Sequence, residues 1–199
     1  MHTLIIVESP HKAQIVAELV RPLLKGQVTT WACLGHLRDL PEDRLGVDLE
    51  HGFLPEYAVP ERRQKTVAGL GEKITQADRI LLATDPDREG EAVAWHVLEV
   101  FCTELAGKRV QRITFNAVTA AALKQALRRP RKVNLRQAQA AVARRALDRL
   151  VGYFISPALW KALRGEKGLS AGRVQSAALR LLIEHGTPTQ NVWEVEVSL

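Results

Sequence analysis

Two short and predominantly apolar runs, each followed directly by an acidic residue, constrain the fold of this chain most strongly. Residues 3–7 end at Glu8, and residues 79–84 end at Asp85. Helical apolar spacing follows each run, and strand and helix patterns alternate in this way to about residue 115. The alternation predicts an α/β fold, with a mainly parallel sheet and helices on both faces. Ligands of such sheets bind beyond the carboxyl ends of the strands, where Glu8 and Asp85 are expected.

The other elements are predicted from the same periodicities. Strands are expected at 28–34, 110–115 and 192–199, and helices at 66–75, 90–101, 119–127, 134–151, 156–163 and 173–184, besides one that ends near Pro22. Ser156 is a predicted N-cap with Pro157 at the first helical position. The chain is thus expected to contain a Rossmann-like domain over 1–117 and an incomplete, mostly helical segment over 118–199.

A run of acidic residues follows the second apolar strand. Four acids alternate there: Asp85, Asp87, Glu89 and Glu91. Carboxylates at a strand end can converge on one hard cation such as Mg²⁺. Glu89 and Glu91 alternatively suit a helix N-terminus, where acids interact favourably with the helix dipole. That alternative explains Asp85 less well. Glu8 is expected to join these acids if the two strands are neighbours, and Lys12 could then reach an anion held there.

The positive charge of the chain is concentrated in one stretch. The whole chain has a net charge of +6, but residues 128–184 contain 13 basic and three acidic residues. This stretch favours a surface for a polyanion, beside a mildly acidic domain. A solvated arginine face is the alternative, and the charge alone does not exclude it.

The cysteines and the hydropathy indicate the compartment. Cys33 and Cys102 lie far apart and have neither metal-type spacing nor a disulfide framework, so a reducing cytoplasm is expected. No apolar stretch approaches the ~18 residues that a membrane helix needs, and no membrane partner is expected.

Several stretches resemble the type IA DNA topoisomerases. Residues 7–13 and 83–96 are similar to the Toprim domain of that family, in a form closer to bacterial topoisomerase I than to topoisomerase III. Further similarities follow in the family's order: 34–41 to its Gly-His loop, 136–153 to the first helix of its arch base, and 156–161 with 169–176 to its single-strand-binding segment. The Asp85 motif alone also fits primases and other Toprim proteins.

The resemblance implies a role for each matched residue. Asp85, Asp87 and Glu89 would bind Mg²⁺. Glu8 would act at the scissile phosphate, Lys12 would stabilise phosphate charge in the transition state, and Arg88 would hold the acidic loop or contact DNA. The path of single-stranded or underwound DNA would be lined by His36, Arg144, Arg145, Asp148, Ser170, Arg173 and Gln175.

The resemblance also implies a nucleophilic tyrosine in a separate domain, which forms a 5′-phosphotyrosyl bond. The two tyrosines, Tyr57 and Tyr153, lie outside any nucleophile motif, so no nucleophile is assigned in this chain. The expected function is therefore the metal- and DNA-binding part of a topoisomerase, whose remainder would be a partner. Two alternatives stay open, a stand-alone DNA-binding remnant and another Toprim enzyme such as a nuclease or primase.

Overall fold

The computed structural model describes residues 1–163 and 168–186 of the chain. It contains two compact units, Met1–Ala146 and a second one that starts at Leu147. The longest described helix has residues in both units. The predicted domain boundary at residue 117 stays a prediction. Among the described residues, no helix is both long and apolar enough to cross a membrane.

The first unit contains a parallel sheet with helices on both faces, as the sequence predicts. Its elements are β1 (His2–Val7), α1 (Pro10–Val20), β2 (Gln27–Ala32), a 3₁₀ turn (Glu61–Arg63), α2 (Gln64–Gln76), β3 (Arg79–Leu82), α3 (Arg88–Val100), β4 (Arg109–Arg112), α4 (Ala120–Arg128) and the start of α5 (Leu135–Ala162). Within the described residues the strand order is β2-β1-β3-β4, and every pairing is parallel. Ile6 of β1 lies opposite Leu82 of β3, so these two strands are neighbours.

The two central strands, β1 and β3, bury both of their faces, which explains why they are mostly continuous apolar runs rather than alternating ones. Leu4 and Ile6 of β1 pack in one core with side chains of α2 and α3. Ile5 and Val7 point to the opposite face and pack in a second core with α1 and α4. Because both faces of the sheet are packed, the positions of the strand ends are fixed, and so are the positions of the residues that follow them.

Three helices of this unit begin at polar caps that the sequence supplies. Ser9 caps α1 by accepting a hydrogen bond from the backbone N–H of Lys12, and Thr119 caps α4 in the same way through Ala122. Asp87 caps α3 by accepting a bond of 2.7 Å from the N–H of Gly90. Side-chain caps of this kind satisfy backbone donors that the first turn of a helix leaves unpaired.

The prediction of two helices over 134–163 is wrong, because α5 runs without a break from Leu135 to Ala162 with Pro157 inside it. The Ser156 side chain does not cap a helix. It is buried, and its hydroxyl oxygen accepts a hydrogen bond of 3.0 Å from the N–H of Ala171. Pro157 itself has no N–H to donate within the helix, yet α5 continues beyond it to Ala162.

The last described helix is α6 (Arg173–His185), in the second unit. Its N-cap is Gly172, which forms no side-chain capping hydrogen bond. The Ser170 oxygens accept bonds from the amide of Gln175, at 2.6 and 3.1 Å. The predicted strand at 192–199 lies outside the described residues.

Candidate functional site

Three predicted site residues meet at the carboxyl edge of the sheet. Glu8 follows β1, Asp85 follows the neighbouring β3, and the backbone N–H of Asp85 donates a hydrogen bond of 3.0 Å to Oε1 of Glu8. Lys12, in the first turn of α1, forms an ion pair with the Asp85 carboxylate. Partial burial and the negative charge of Asp85 raise the pKa of Glu8, although the Asp85 N–H and Lys12 oppose this shift. Glu8 and Asp85 thus meet at the ends of neighbouring strands, as expected, while the roles assigned to them by resemblance stay predictions.

The next two acids have other partners. Asp87 is engaged in capping α3, and Glu89 accepts a contact of 3.2 Å from the ring of His36 in the Gly-His loop. Arg88, the first residue of α3, is exposed. Within residues 1–163 and 168–186, no three His, Cys, Asp or Glu side chains are gathered closely enough to enclose a metal ion. Glu8, Lys12 and Asp85 are thus in contact, whereas Asp87 and Glu89 form their hydrogen bonds with other residues.

The fourth acid, Glu91, is fully buried and forms ion pairs with two arginines. Arg112 of β4 donates to Oε1 of Glu91 at 3.0 Å, and Arg131 contacts the same oxygen. Oε2 accepts the backbone N–H of Asn134 at 2.8 Å. Burial alone would raise the pKa of Glu91, but Arg131, Asn134 and Arg112 together hold it below its usual value. The fourth acid therefore has a closed set of protein partners.

Arg112 also holds the backbone of the acidic loop. Its guanidinium donates to the carbonyl oxygens of Leu82 at 3.0 Å, Thr84 at 2.8 Å and Asp85 at 2.6 Å. The oxygen of Leu82 also accepts the N–H of Ile113 at 2.9 Å, whereas Thr84 and Asp85 lie beyond the last rung of β3, so their carbonyl oxygens need another donor. Sequence reasoning missed this residue, because an arginine in a short strand does not reveal that it is buried.

An aromatic cluster of Tyr57, Trp95 and His96 packs against Arg38 of the Gly-His loop. The guanidinium of Arg38 stacks on Trp95 at 4.6 Å and on Tyr57 at 5.1 Å from the ring centres. Its Nε donates a hydrogen bond of 2.7 Å to Nδ1 of the buried His96. Burial, followed by electrostatic interaction with His36 and Arg38, lowers the pKa of His96 to about 3, so the ring is neutral. The cluster attaches the loop that carries His36 to α3.

Tyr57 is an unsuitable nucleophile in this arrangement. Its ring lies edge-on to Trp95 and His96, at 6.0 and 4.7 Å between centres. Burial, followed by the charge of Asp39, raises the pKa of Tyr57 to about 12. Its hydroxyl is therefore harder to deprotonate than that of an ordinary tyrosine.

The predicted DNA-binding arginines lie in both units. In the first, the exposed Arg145 donates two hydrogen bonds to the Asp39 carboxylate, at 3.0 and 2.7 Å, and Arg144 is exposed beside it on α5. In the second, Arg173 donates a bond of 2.7 Å to Asp148. Bidentate arginines on carboxylates have the geometry that also recognises phosphates.

Known proteins resemble both parts of this chain. The model of the Toprim domain matches residues 3–118, and that of a DNA topoisomerase matches residues 132–198. A solved structure of full-length topoisomerase I from Thermotoga maritima is similar, with a TM-score of 0.77 and 41% identity. The match covers 92% of this chain and 30% of that one, so the chain spans under a third of the length of this relative.

Proposed function

The chain belongs to the Toprim family, with a DNA topoisomerase segment after its Toprim domain, and we propose that it forms the metal- and DNA-binding part of a type IA DNA topoisomerase. In this proposal the chain binds single-stranded or underwound DNA and Mg²⁺. It places a phosphodiester at the carboxyl edge of the sheet for cleavage and rejoining during DNA relaxation.

The observation that carries the proposal is the meeting of Glu8, Lys12 and Asp85 at two neighbouring strand ends. A fixed ammonium group at such an edge can stabilise the charge that develops on a phosphate. Glu8, whose pKa is raised, is suited to exchange a proton with an oxygen of that phosphate. An acid and a cation in contact beyond a parallel sheet therefore support phosphoryl chemistry at this edge.

The donor set fits Mg²⁺ in one of its common binding modes. Glu8, Asp85 and Asp87 offer only carboxylate oxygens, the ligands that this hard cation prefers. Proteins often hold Mg²⁺ through one or two carboxylates, with waters and substrate phosphates as further ligands, so a closed protein cage is unnecessary. We propose Asp85 and Asp87 as the ligands, with Glu89 joining them once it leaves His36. A bound Mg²⁺ would neutralise charge on the phosphate.

The basic helices support DNA as the ligand. Residues 128–184 have 13 basic and three acidic residues, and Arg136, Arg144 and Arg145 are exposed on α5. We propose that these arginines, with Arg173 on α6, bind the phosphates of a single strand. His36, Asp148, Ser170 and Gln175 are proposed to line the same path.

The nucleophile is proposed to come from outside these 199 residues. The reaction of the family requires a tyrosine that attacks the phosphodiester and keeps the 5′ phosphate. Tyr57 is held in the aromatic cluster with a raised pKa, which argues against this role. The tyrosine would then be supplied by further topoisomerase residues, on the same polypeptide or on a partner.

The proposal is tested with a 3′-labelled single-stranded oligonucleotide, this chain and Mg²⁺. The expected result is retarded oligonucleotide on a native gel, weaker in high salt, without labelled protein on a denaturing gel. A covalent adduct would identify Tyr57 or Tyr153 as a nucleophile and overturn the assignment of the tyrosine. Released short fragments without an adduct would support a nuclease, and no binding at all would overturn the DNA-binding function.

A further inference from the structure

We propose that Glu91 is a positioning residue, which ties the start of α5 to the acidic loop and so holds the α5 arginines in place for single-stranded DNA. This inference rests on the proposed function, because it names a residue that prepares the same DNA-binding surface. Glu91 itself reaches neither DNA nor a metal ion, since its side chain is 0% exposed.

The contacts of Glu91 connect three elements of the first unit. Glu91 lies on α3, one turn after the loop that carries Asp85 and Asp87. Its carboxylate pairs with Arg112 of β4, which in turn holds the carbonyl oxygen of Asp85. The same carboxylate binds Arg131, in the segment that leads into α5. One buried group thus links the acidic loop to the residues that begin α5.

The segment before α5 is held at several points. Backbone hydrogen bonds of 2.7 and 2.8 Å pair Arg131 with Arg112 in an antiparallel bridge. Val133 packs against the core on the α2 and α3 face. The N–H of Asn134 donates to Glu91, and its side-chain oxygen accepts the N–H of Gln137 at 3.3 Å, in the first turn of the helix. The first turn of α5 therefore starts from a residue whose own backbone is bound by Glu91.

The orientation of α5 determines where its charges lie. Ala138, Ala141 and Ala146 are buried, whereas Arg136, Arg144 and Arg145 are exposed. Since the helix is rigid over these two to three turns, a rotation or shift at Asn134 moves all three arginines. Loss of the Glu91 contacts would therefore displace phosphate-binding groups that Glu91 does not touch.

The test compares the effect of a Glu91 substitution on DNA affinity with the effect expected from its change in charge alone. Glu91→Gln removes a negative charge, which by long-range electrostatics alone would tighten the binding of DNA. Positioning predicts the opposite. The affinity for a fluorescent single-stranded oligonucleotide, measured by anisotropy, is expected to fall about ten-fold, and the slope of log K against log salt to decrease by about 1 for each phosphate contact that is lost.

Glu104→Gln is the matched control, because Glu104 is exposed in the same unit and undergoes the same charge change. It is expected to leave the affinity and the salt slope unchanged or to increase the affinity slightly. Circular dichroism and a thermal melt show that each variant is folded at the assay temperature. General destabilisation would lower the active fraction without changing the salt slope, so the slope separates positioning from stability.

A second pair of variants keeps the proposal testable if Glu91→Gln fails to fold. Arg131→Met and Lys132→Met remove the same charge from adjacent exposed residues, but only Arg131 pairs with Glu91. Arg131→Met is expected to lose more affinity and to accelerate hydrogen exchange at the Asn134 amide. Equal losses in this pair, or unchanged or tighter binding by Glu91→Gln, would overturn the positioning role. Absence of binding by the wild-type chain would instead overturn the proposed function.

Discussion

The backbone of Asp85 fixes the side chain of Glu8, since its N–H donates to Oε1 of Glu8 across the ends of two adjacent strands. Lys12 binds the carboxylate of the same aspartate. The carboxylates of Glu8 and Asp85 repel each other when both are charged, and the ammonium group of Lys12 offsets that repulsion. The site thus contains a cation of its own, which is positioned by the first turn of α1.

We expect Lys12→Met to weaken the binding of single-stranded DNA and to lower the salt slope by about 1, because one phosphate contact is lost. Lys25→Met is the control. Lys25 is exposed just before β2, at the opposite edge of the parallel sheet, and carries the same charge. Anisotropy titrations at several salt concentrations measure both variants. Equal effects of the two substitutions would mean that Lys12 contributes only to the net charge.

Much of this edge was predictable from the sequence. The apolar runs before Glu8 and Asp85 are strands, and they are neighbours in the sheet. A strand that is buried on both faces needs a continuous apolar run, and its end is then marked by the first charged residue. Local pattern was therefore sufficient for the strands and for the residues that follow them.

The supporting residues were not predictable in the same way. Arg112 and Glu91 are fully buried, although charged residues in a sequence usually indicate exposure. Trp95 lies in an apolar helical pattern, yet its ring stacks on Arg38. Each of these contacts joins residues that are far apart in the chain, so no local window contains the information. The roles assigned to the site residues by resemblance stay predictions.

Removal of Arg112 is expected to be strongly destabilising. Arg112→Met leaves Glu91 buried with fewer partners and frees the carbonyl oxygens of Thr84 and Asp85, which lowers the free energy of unfolding by about 3 kcal/mol. Arg109→Met, at an exposed position of the same strand, is expected to change it by less than about 0.5 kcal/mol. Urea unfolding monitored by tryptophan fluorescence provides both values. Similar stabilities of the two variants would contradict the structural role of Arg112.

The stability of the fold is expected to fall in acid through His96. In the folded state the pKa of His96 is about 3, below the ordinary 6.5, because the ring is buried and lies near His36 and Arg38. The charge of Asp39 raises this pKa, but only enough to offset part of the shift. The neutral ring thus stabilises the fold fully above about pH 6.5. This contribution is lost as the pH falls towards 3, at up to about 1.4 kcal/mol per pH unit.

Unfolding free energies measured from about pH 6 to about pH 4 test this expectation. The unfolding free energy of His96→Gln should fall less steeply with decreasing pH than that of the wild type. The difference in slope should correspond to nearly one proton taken up on unfolding. His11→Gln, at an exposed position on α1, should retain the wild-type slope. If all three proteins lose stability in parallel, His96 does not carry the acid sensitivity.

Gly90 is required by the close approach of the acidic loop to α3. A Cβ at this residue would lie 2.1 Å from the carbonyl oxygen of Asp85, a contact that the backbone can relieve only by moving. Gly90 also holds the loop, since its N–H donates to Asp87 and its carbonyl oxygen accepts the hydroxyl of Thr84 at 2.6 Å. A shift of the loop would move the Asp85 N–H away from Glu8.

We therefore expect Gly90→Ala to lower the free energy of unfolding by about 1–3 kcal/mol, as overpacking does, and to weaken DNA binding at the carboxyl edge. Gly152→Ala is the comparison, because Gly152 lies inside α5 and its Cβ would meet only the carbonyl oxygen of Ala171, at an ordinary distance of 3.6 Å. This second substitution is expected to stabilise the helix by about 0.5–1 kcal/mol. Urea unfolding and anisotropy titration of both variants measure these effects. If the Gly90→Ala protein has wild-type stability and affinity, the acidic loop can move without loss of unfolding free energy. The Glu8–Asp85 contact would then not depend on the backbone conformation of that loop.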